Sequence, residues 1–454
     1  MITTMKYRML LRTTLGMMAM AAIATSCTFE QDDYFDETAA LRVKHTNDNI
    51  KKRLVDQSAE GSNGWVMQYF VAGTDDHSFE GFNLFGRFFD DGKVTLAGNH
   101  RFLRNGNANK YTESSSTFKM LAEEGPVLSF DTWNDVLTVF EDPVDPTAAP
   151  GTISNNGEGM FGDHNLVLTS LKDNELLFQG ERHRAEVRFI PCDRAWADYM
   201  AAVTENKNHI APAQMTSYYV TNGVDTMYIV GLNKGVLVYG ERVEDPLKKK
   251  TLSCVFTPDG FRINHKDSIG KNAFQEFSLT EDKTKLLSED GQTQVIACWD
   301  NYIVAHTAVW KMDPEQFSAE QKTLFDQINE AAKVFNSAWS LESIGIGKSS
   351  GSNAINGLVL TFYTNTAKTK TNTAGVALTI TRTAYGQARI DYSAESKVDK
   401  NMEAIVKKSP EMENLARAFA ATLNGTYTMT PDDYFLPTGS LFTAVNGGTT
   451  FKLN

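Results

Sequence analysis

The chain has 454 residues, 41% of them apolar and 11% aromatic, and a formal charge of −12. That length exceeds one ordinary core, so two or three domains are expected. The acidic balance, with no basic stripe, argues against a nucleic-acid partner, whose phosphates need cations, and against docking on anionic headgroups.

In chain order, Lys6, Arg8 and Arg12 precede an apolar run, "LGMMAMAAIA" at 15–24. A charged head, a short apolar stretch and small residues at its end make the order of a secretory signal. The run is too short for a membrane-spanning helix, which takes about 20 apolar residues. It leads into "ATSC" at 24–27, which resembles the lipobox of bacterial lipoproteins. That resemblance implies cleavage after Ser26 and lipid on the thiol and amine of Cys27. Residues 1–26 are then a lipoprotein signal peptide; their loss removes three cations and no anions and leaves the mature chain near −15. Two or more acyl chains anchor firmly, since each buried CH2 contributes ~0.8 kcal/mol. Residues 27–34, with Glu30, Asp32 and Asp33, read as an acidic tether.

Residues 35–61 carry helical periodicity, with Asp36 as the expected N-cap, Val43, Ile50 and Leu54 on one face and Gly61 as the stop. From Trp65 the apolar period changes to two. "GWVMQYFVAG", "FNLFGRFFDDGKVTLAG", "STFKML", "GPVLSFDTWNDVLTVFED", "HNLVLTSLKDNELLFQGE" and "AEVRFIP" are short strands parted by turn signals such as Asp91-Gly92 and Lys172-Asp173-Asn174. A Pro-, Gly- and Asn-rich loop fills 141–163. "CDRAWADYMAAVTENKN" predicts a helix capped by Asp193, with Trp196, Tyr199, Met200 and Val203 on one stripe.

A second strand series runs from "SYYVTNG" to "QVIACW". The next helix, "DPEQFSAEQKTLFDQINEAAKVF", offers two start signals, Asp313-Pro314 and the capping box Ser318-x-x-Gln321. A hairpin across 364–373, two short helices near 399–408 and 411–423, and a strand in "GTYTMTPDDYF" complete the chain. Strand runs joined by hairpin-length turns argue against a parallel α/β sheet. The expected class is mainly β with packed helices: antiparallel meander, barrel-like or sandwich units joined by amphipathic helices. The expected domains are 35–206, 207–312 and 313–454, the last a helix with an α+β segment.

No catalytic signature stands out. There is no GxSxG elbow and no HExxH, and "GKSSG" at 347–351 lacks the spacing of a phosphate loop. His77, His100 and His164 are scattered, and "RHR" around His183 reads as an exposed strand face. Most acids fall in turns, where they are common anyway. No catalytic residue, metal or cofactor is assigned. Cys192, Cys254 and Cys298 include no CxxC pair, so zinc is not indicated. Cys254 and Cys298 could pair as a disulfide in an oxidising compartment or stay as buried thiols. Trp196 and Trp339 fall on helical stripes and read as core. Trp133, bracketed by polar residues in "DTWND", and one of Tyr218 and Tyr219, which alternate on a strand, are the candidates for ligand contact.

"YFDETAALR", "NGWVMQYF", "EGPVLSFDTWNDVLTVFEDP" and "GDHNLVLTSLKDNELLFQG" resemble the Bacteroidetes lipoprotein family called domain of unknown function 4302, and "LNGTYTMTPDDYFLPT" is similar to its C-terminal end. The resemblance implies a lipid-anchored accessory of a SusC/SusD-like outer-membrane uptake system that binds a polysaccharide, a peptide or the transporter itself. "CTFEQDD", with Glu30, Asp32 and Asp33, resembles the export signal that sends such lipoproteins to the leaflet facing the medium; the periplasmic face is the alternative. A hydrolase whose carboxylates meet only in the fold, and a fimbrial or adhesin-type subunit, are the competing expectations.

Overall fold

Among the described residues, the β structure of the computed structural model is two closed eight-stranded barrels and two open sheets. It describes residues 37–72, 79–104, 106–123, 125–142, 160–240, 250–305, 309–351, 353–447 and 449–454. The signal segment, Cys27, Glu30, Asp32, Asp33, Asp36 and His77 lie outside the described residues.

The first barrel is an up-and-down meander: β1 (Trp65–Phe70), β2 (Phe82–Phe88), β3 (Lys93–Gly98), β4 (Thr112–Ala122), β5 (Pro126–Phe130), β6 (Asn165–Lys172), β7 (Glu175–Gly180) and β8 (Glu186–Pro191). It closes where β8 pairs antiparallel with β1, from Trp65 opposite Pro191 to Phe70 opposite Glu186. The period of two sends Trp65, Met67 and Tyr69 into its core with Leu84, Leu96, Leu128 and Phe189. Side chains fill the interior, as expected for a barrel of this strand number. Helix α1 (Ala39–Asp56) buries Ile50 and Leu54 in the same core. Its N-cap is Thr38, whose hydroxyl accepts from the Leu41 N–H, rather than Asp36.

"VLTVF" does not form the expected strand. Asn134 is fully buried there, and its side chain bonds the Ser114 carbonyl, the Ser116 hydroxyl and the Val136 N–H. These bonds fold the chain into a turn and a 3-10 segment, Thr138–Phe140, whose apolar side chains join the core.

Helix α2 (Trp196–Ile210) joins the two barrels. Its N-cap is Ala195, since Asp193 turns aside to pair with Arg194. At its start Trp196, Tyr199 and Met200 cover the outward side chains Val66, Phe85 and Ala97 of the first barrel. At its end Ile210 enters the second core.

The second barrel repeats the meander with β9 (Ser217–Thr221), β10 (Thr226–Val230), β11 (Val236–Gly240), β12 (Lys250–Phe256), β13 (Gly260–Ile269), β14 (Asn272–Leu279), β15 (Leu286–Ser288) and β16 (Gln294–Ala297). β16 returns to β9, with Ala297 opposite Tyr218. The barrels touch directly. The Gly81 N–H donates to the Cys254 carbonyl at 2.9 Å, and Asn83 Nδ2 to the Phe256 carbonyl at 2.8 Å. A Cβ on Gly81 would lie 2.4 Å from Phe70 and 2.9 Å from Val255, so only glycine permits this approach. Arg188 bridges Glu175 of its own barrel and Glu276 of the other.

The C-terminal part holds a four-stranded sheet, β17 (Trp310–Lys311), β18 (Ser340–Lys348), β19 (Asn356–Tyr363) and β20 (Thr371–Ala377). A five-stranded sheet follows, β21 (Thr379–Ala384), β22 (Gln387–Asp391), β23 (Gly425–Pro431), β24 (Ser440–Ala444) and β25 (Phe451–Leu453). Met312 pairs with Leu453 and joins their edges. Helix α3 (Trp299–Val304) leads in from the second barrel, and α4 (Ala319–Phe335), α5 (Lys400–Val406) and α6 (Glu411–Ala421) pack on the sheets. Both start signals of the long helix are used: Asp313-Pro314 opens a 3-10 turn, and the Ser318–Gln321 capping box starts α4. Trp339 lies in the turn after α4, not on the helix, and packs on Phe335 and Phe362. Among the described residues no helix is long and apolar enough to cross a membrane.

Candidate functional site

The main concavity runs along helix α2, between the β3–β4 loop of the first barrel and the loop after β23. It has two adjoining hollows of about 740 and 430 Å³ that share Asn99, Asn109, Met200, Thr204 and Asn208. On the helix, Ala197, Ala201 and Thr204 are small, so a shallow trough forms between larger neighbours. Trp196 fixes that helix against the first barrel by donating its indole N–H to the Asn63 carbonyl at 2.6 Å. Asn206 fixes it against the second, donating to the carbonyls of Thr257 and Gly260.

Two exposed apolar side chains stand at the rim of the larger hollow, Tyr111 and Leu436. The Tyr111 hydroxyl bonds Glu113. Leu436 is held by a knot of carboxylates: Asp433 accepts from the Phe435 and Leu436 N–H groups, and Asp432 from Thr438 and Gly439. Burial pushes the Asp433 carboxyl up, but those two N–H bonds and His209, 2.9 Å away, outweigh it and leave the group below its usual range.

The smaller hollow is polar. Glu80 lies 3.5 Å from Arg101 and 3.8 Å from Lys207. Arg101 stacks on Phe102 at 4.7 Å, and Lys207 lies over Phe256 at 5.1 Å. Asn83 spends its amide N–H on Phe256, and its Oδ1 is buried without a partner. His100, 8% exposed, sits among Phe82, Phe102 and Phe140. Its Nε2 lies 3.0 Å from the Val136 carbonyl, which only accepts, so Nε2 carries the proton and Nδ1 is a bare acceptor. Nδ1 is buried with no partner. Burial pulls the ring pKa down to about 4, against the opposing effect of the Val136 carbonyl, so the imidazole is neutral at pH 7. Among the described residues no group of three or more His, Cys, Asp or Glu could hold a metal ion.

The structure scatters the residues singled out from sequence. Trp133 is 46% exposed near a turn, with Arg104 stacked over it at 4.6 Å and its N–H on Asp135. Tyr218 is not a surface contact: it is fully buried in the second barrel, and its hydroxyl donates to the Ile210 carbonyl at 2.9 Å. Tyr219, on the outer face, packs against Tyr228 of its own barrel and against Tyr385 and Arg382, which seat the C-terminal part on the barrel. Neither tyrosine lines the cleft.

Cys254 and Cys298 are both free and buried, so the disulfide alternative is not formed. Cys254 is on β12 and Cys298 follows β16, four strands away in either direction around the barrel. At ~4.8 Å per strand that spacing places them on opposite walls, beyond the reach of a disulfide. Burial pushes the Cys298 thiol up to about 12. His183 is in the bend before β8, not on an exposed strand, and its Nδ1 bonds the Gly162 carbonyl at 2.8 Å. The cleft residues had no sequence signal. Asn83 on β2, Asn99 and His100 in the β3–β4 loop and Asn208 on α2 come from three elements and meet only through barrel closure and the docking of α2.

Fold and site define a two-barrel β protein with an open, amide-rich cleft against the helix that links the barrels. The chain belongs to the family described as Domain of unknown function (DUF4302), whose profile matches residues 31–281. That segment holds the first barrel, α2 and six of the eight strands of the second barrel, β9 through β14, and every cleft residue named above except those of the 432–439 loop. A search of curated proteins finds no match. Among solved structures, the crystal structure of the Helicobacter pylori beta clamp bound to a DNA ligase peptide aligns over 90% of this chain and 97% of that chain, at 8% identity and a TM-score of 0.11. A likeness at that level carries no argument about fold or function.

Proposed function

We propose that the protein is a non-catalytic binding lipoprotein, held at the outer membrane through Cys27 and facing the medium, that captures a glycan or peptide beside a SusC/SusD-like uptake system. The cleft along α2 is its binding site. The observation that carries this reading is the lining itself: amide side chains from Asn99, Asn109 and Asn208 line an open trough of about 740 Å³, with apolar side chains at its rim. Ligand sites combine apolar walls with a few fixed polar groups in this way. Two acids line the cleft, Glu205 in the larger hollow and Glu80 in the smaller, and Glu80 has cations on two sides.

The test has two arms. The soluble mature chain, probed against a panel of polysaccharides and peptides, is expected to retain at least one. In cells, Cys27→Ser is expected to release the protein from the membrane fraction, and surface protease is expected to shave the wild type. A chain that binds nothing in the panel, or that stays membrane-bound without Cys27, contradicts the proposal.

A further inference from the structure

We infer that the smaller hollow is a subsite for an acidic sugar, a uronate-type residue that carries one carboxylate among several hydroxyls. The inference rests on the binding role proposed above and names the ligand class of that cleft.

Consider first the groups with unspent hydrogen-bonding capacity. Asn83 Oδ1 and His100 Nδ1 are buried acceptors without partners in the lining of one hollow of about 430 Å³. A buried acceptor left bare is costly, so each marks a place for a donor. On the cationic side, Arg101 and Lys207 sit against aromatic faces, and their distances to Glu80, 3.5 and 3.8 Å, are long for charge-assisted hydrogen bonds. Both keep donors to give. Two cations around one carboxylate leave the hollow with one net positive charge.

A ligand that satisfies this set must donate to two acceptors and present one negative group to the cations. Adjacent sugar hydroxyls both donate and accept, so they suit a wall where Asn83 and His100 accept while Asn99 and Asn208 bring amides that can do either. A carboxylate at C5 of such a ring meets Arg101 and Lys207. A neutral sugar leaves the charge unused. A peptide would place its carboxylate there but has few hydroxyls for the acceptors.

The experiment compares trigalacturonate, its methyl ester and a tripeptide by calorimetry at low and moderate salt, on the soluble mature chain. The acid is expected to bind roughly ten- to a hundredfold more tightly than the ester, the scale of charge-assisted hydrogen bonds. Added salt should narrow that margin. Arg101→Gln combined with Lys207→Gln should bring the ratio close to one by weakening the acid far more than the ester; both positions are partly exposed, so folding is expected to persist. Asn83→Leu should weaken acid and ester alike. Equal binding of acid and ester, a ratio that survives the double substitution, or tripeptide binding above both would overturn the acidic-sugar assignment. If other glycans or peptides still bind, the broader binding role stands; if nothing in the wider panel binds, that role falls with it.

Discussion

At the residue scale, His100 links stability to the cleft. Its pKa in the fold is about 4, against an ordinary value of 6.5. The unfolded chain therefore binds a proton that the fold refuses between those two values. The stability this residue contributes is complete above pH 6.5 and is lost as pH falls toward 4, on the order of 3 kcal/mol over the whole span. His100→Gln keeps a donor for the Val136 carbonyl and does not titrate. Urea midpoints at pH 7.5 and 4.5 should differ less in that variant than in the wild type. An unchanged difference between the two pH values would show that the ring is not held neutral. No sequence signal marked this histidine, because its properties come from Phe82, Phe102 and Phe140, which converge on it from three elements.

At the element scale, local chemistry read directly from the chain defined most strands and the long helix. Gly92, with φ of +82°, turns β2 into β3 at the Asp91-Gly92 signal. The capping box of α4 has both of its reciprocal bonds, Ser318 to the Gln321 N–H and Gln321 to the Ser318 N–H. Ser318→Ala should lower stability by about 1 kcal/mol, read as a shift in denaturant midpoint, with Ser318→Asp restoring most of it. No shift on Ser318→Ala would show that tertiary packing alone sets where α4 begins. Local reading fell short where a distant partner decided the outcome. "VLTVF" has strand composition, but the bonds of Asn134 to β4 turn it into a plug. Asp193 is a residue type that caps helices, yet α2 starts only at Trp196, two residues past the position Asp193 could cap, and its neighbour Arg194 claims the carboxylate. β18, "SLESIGIGK", carries no clear strand signal because a bulge between Leu341 and Ser343 breaks its alternation and Gly345 and Gly347 hold its outer positions.

At the scale of the whole molecule, the repeated strand series was visible in sequence, but closure was not. Which strand pairs with the first depends on contacts more than 100 residues apart, such as Trp65 with Pro191. The cleft is a product of that closure. It exists because α2 spends one end on each barrel, with Trp196 on the first and Ile210 in the second. Tyr218 and Tyr219 show the same dependence: alternation placed them on opposite faces, but only the packed molecule shows one sealed inside and the other under the C-terminal sheet. Cys27 and its tether place this body at a membrane in our reading, and the cleft gives it something to hold. The most direct measurement is ligand titration of the wild type beside Ala201→Trp. Ala201 is exposed on the trough side of α2, so the indole fills the cleft without touching either core. Ala201→Trp is expected to keep the wild-type melting temperature and to lose at least tenfold in affinity for the glycan or peptide that the wild type binds. Unchanged affinity in a folded Ala201→Trp chain would place binding elsewhere and contradict the assignment of the α2 cleft as the binding site.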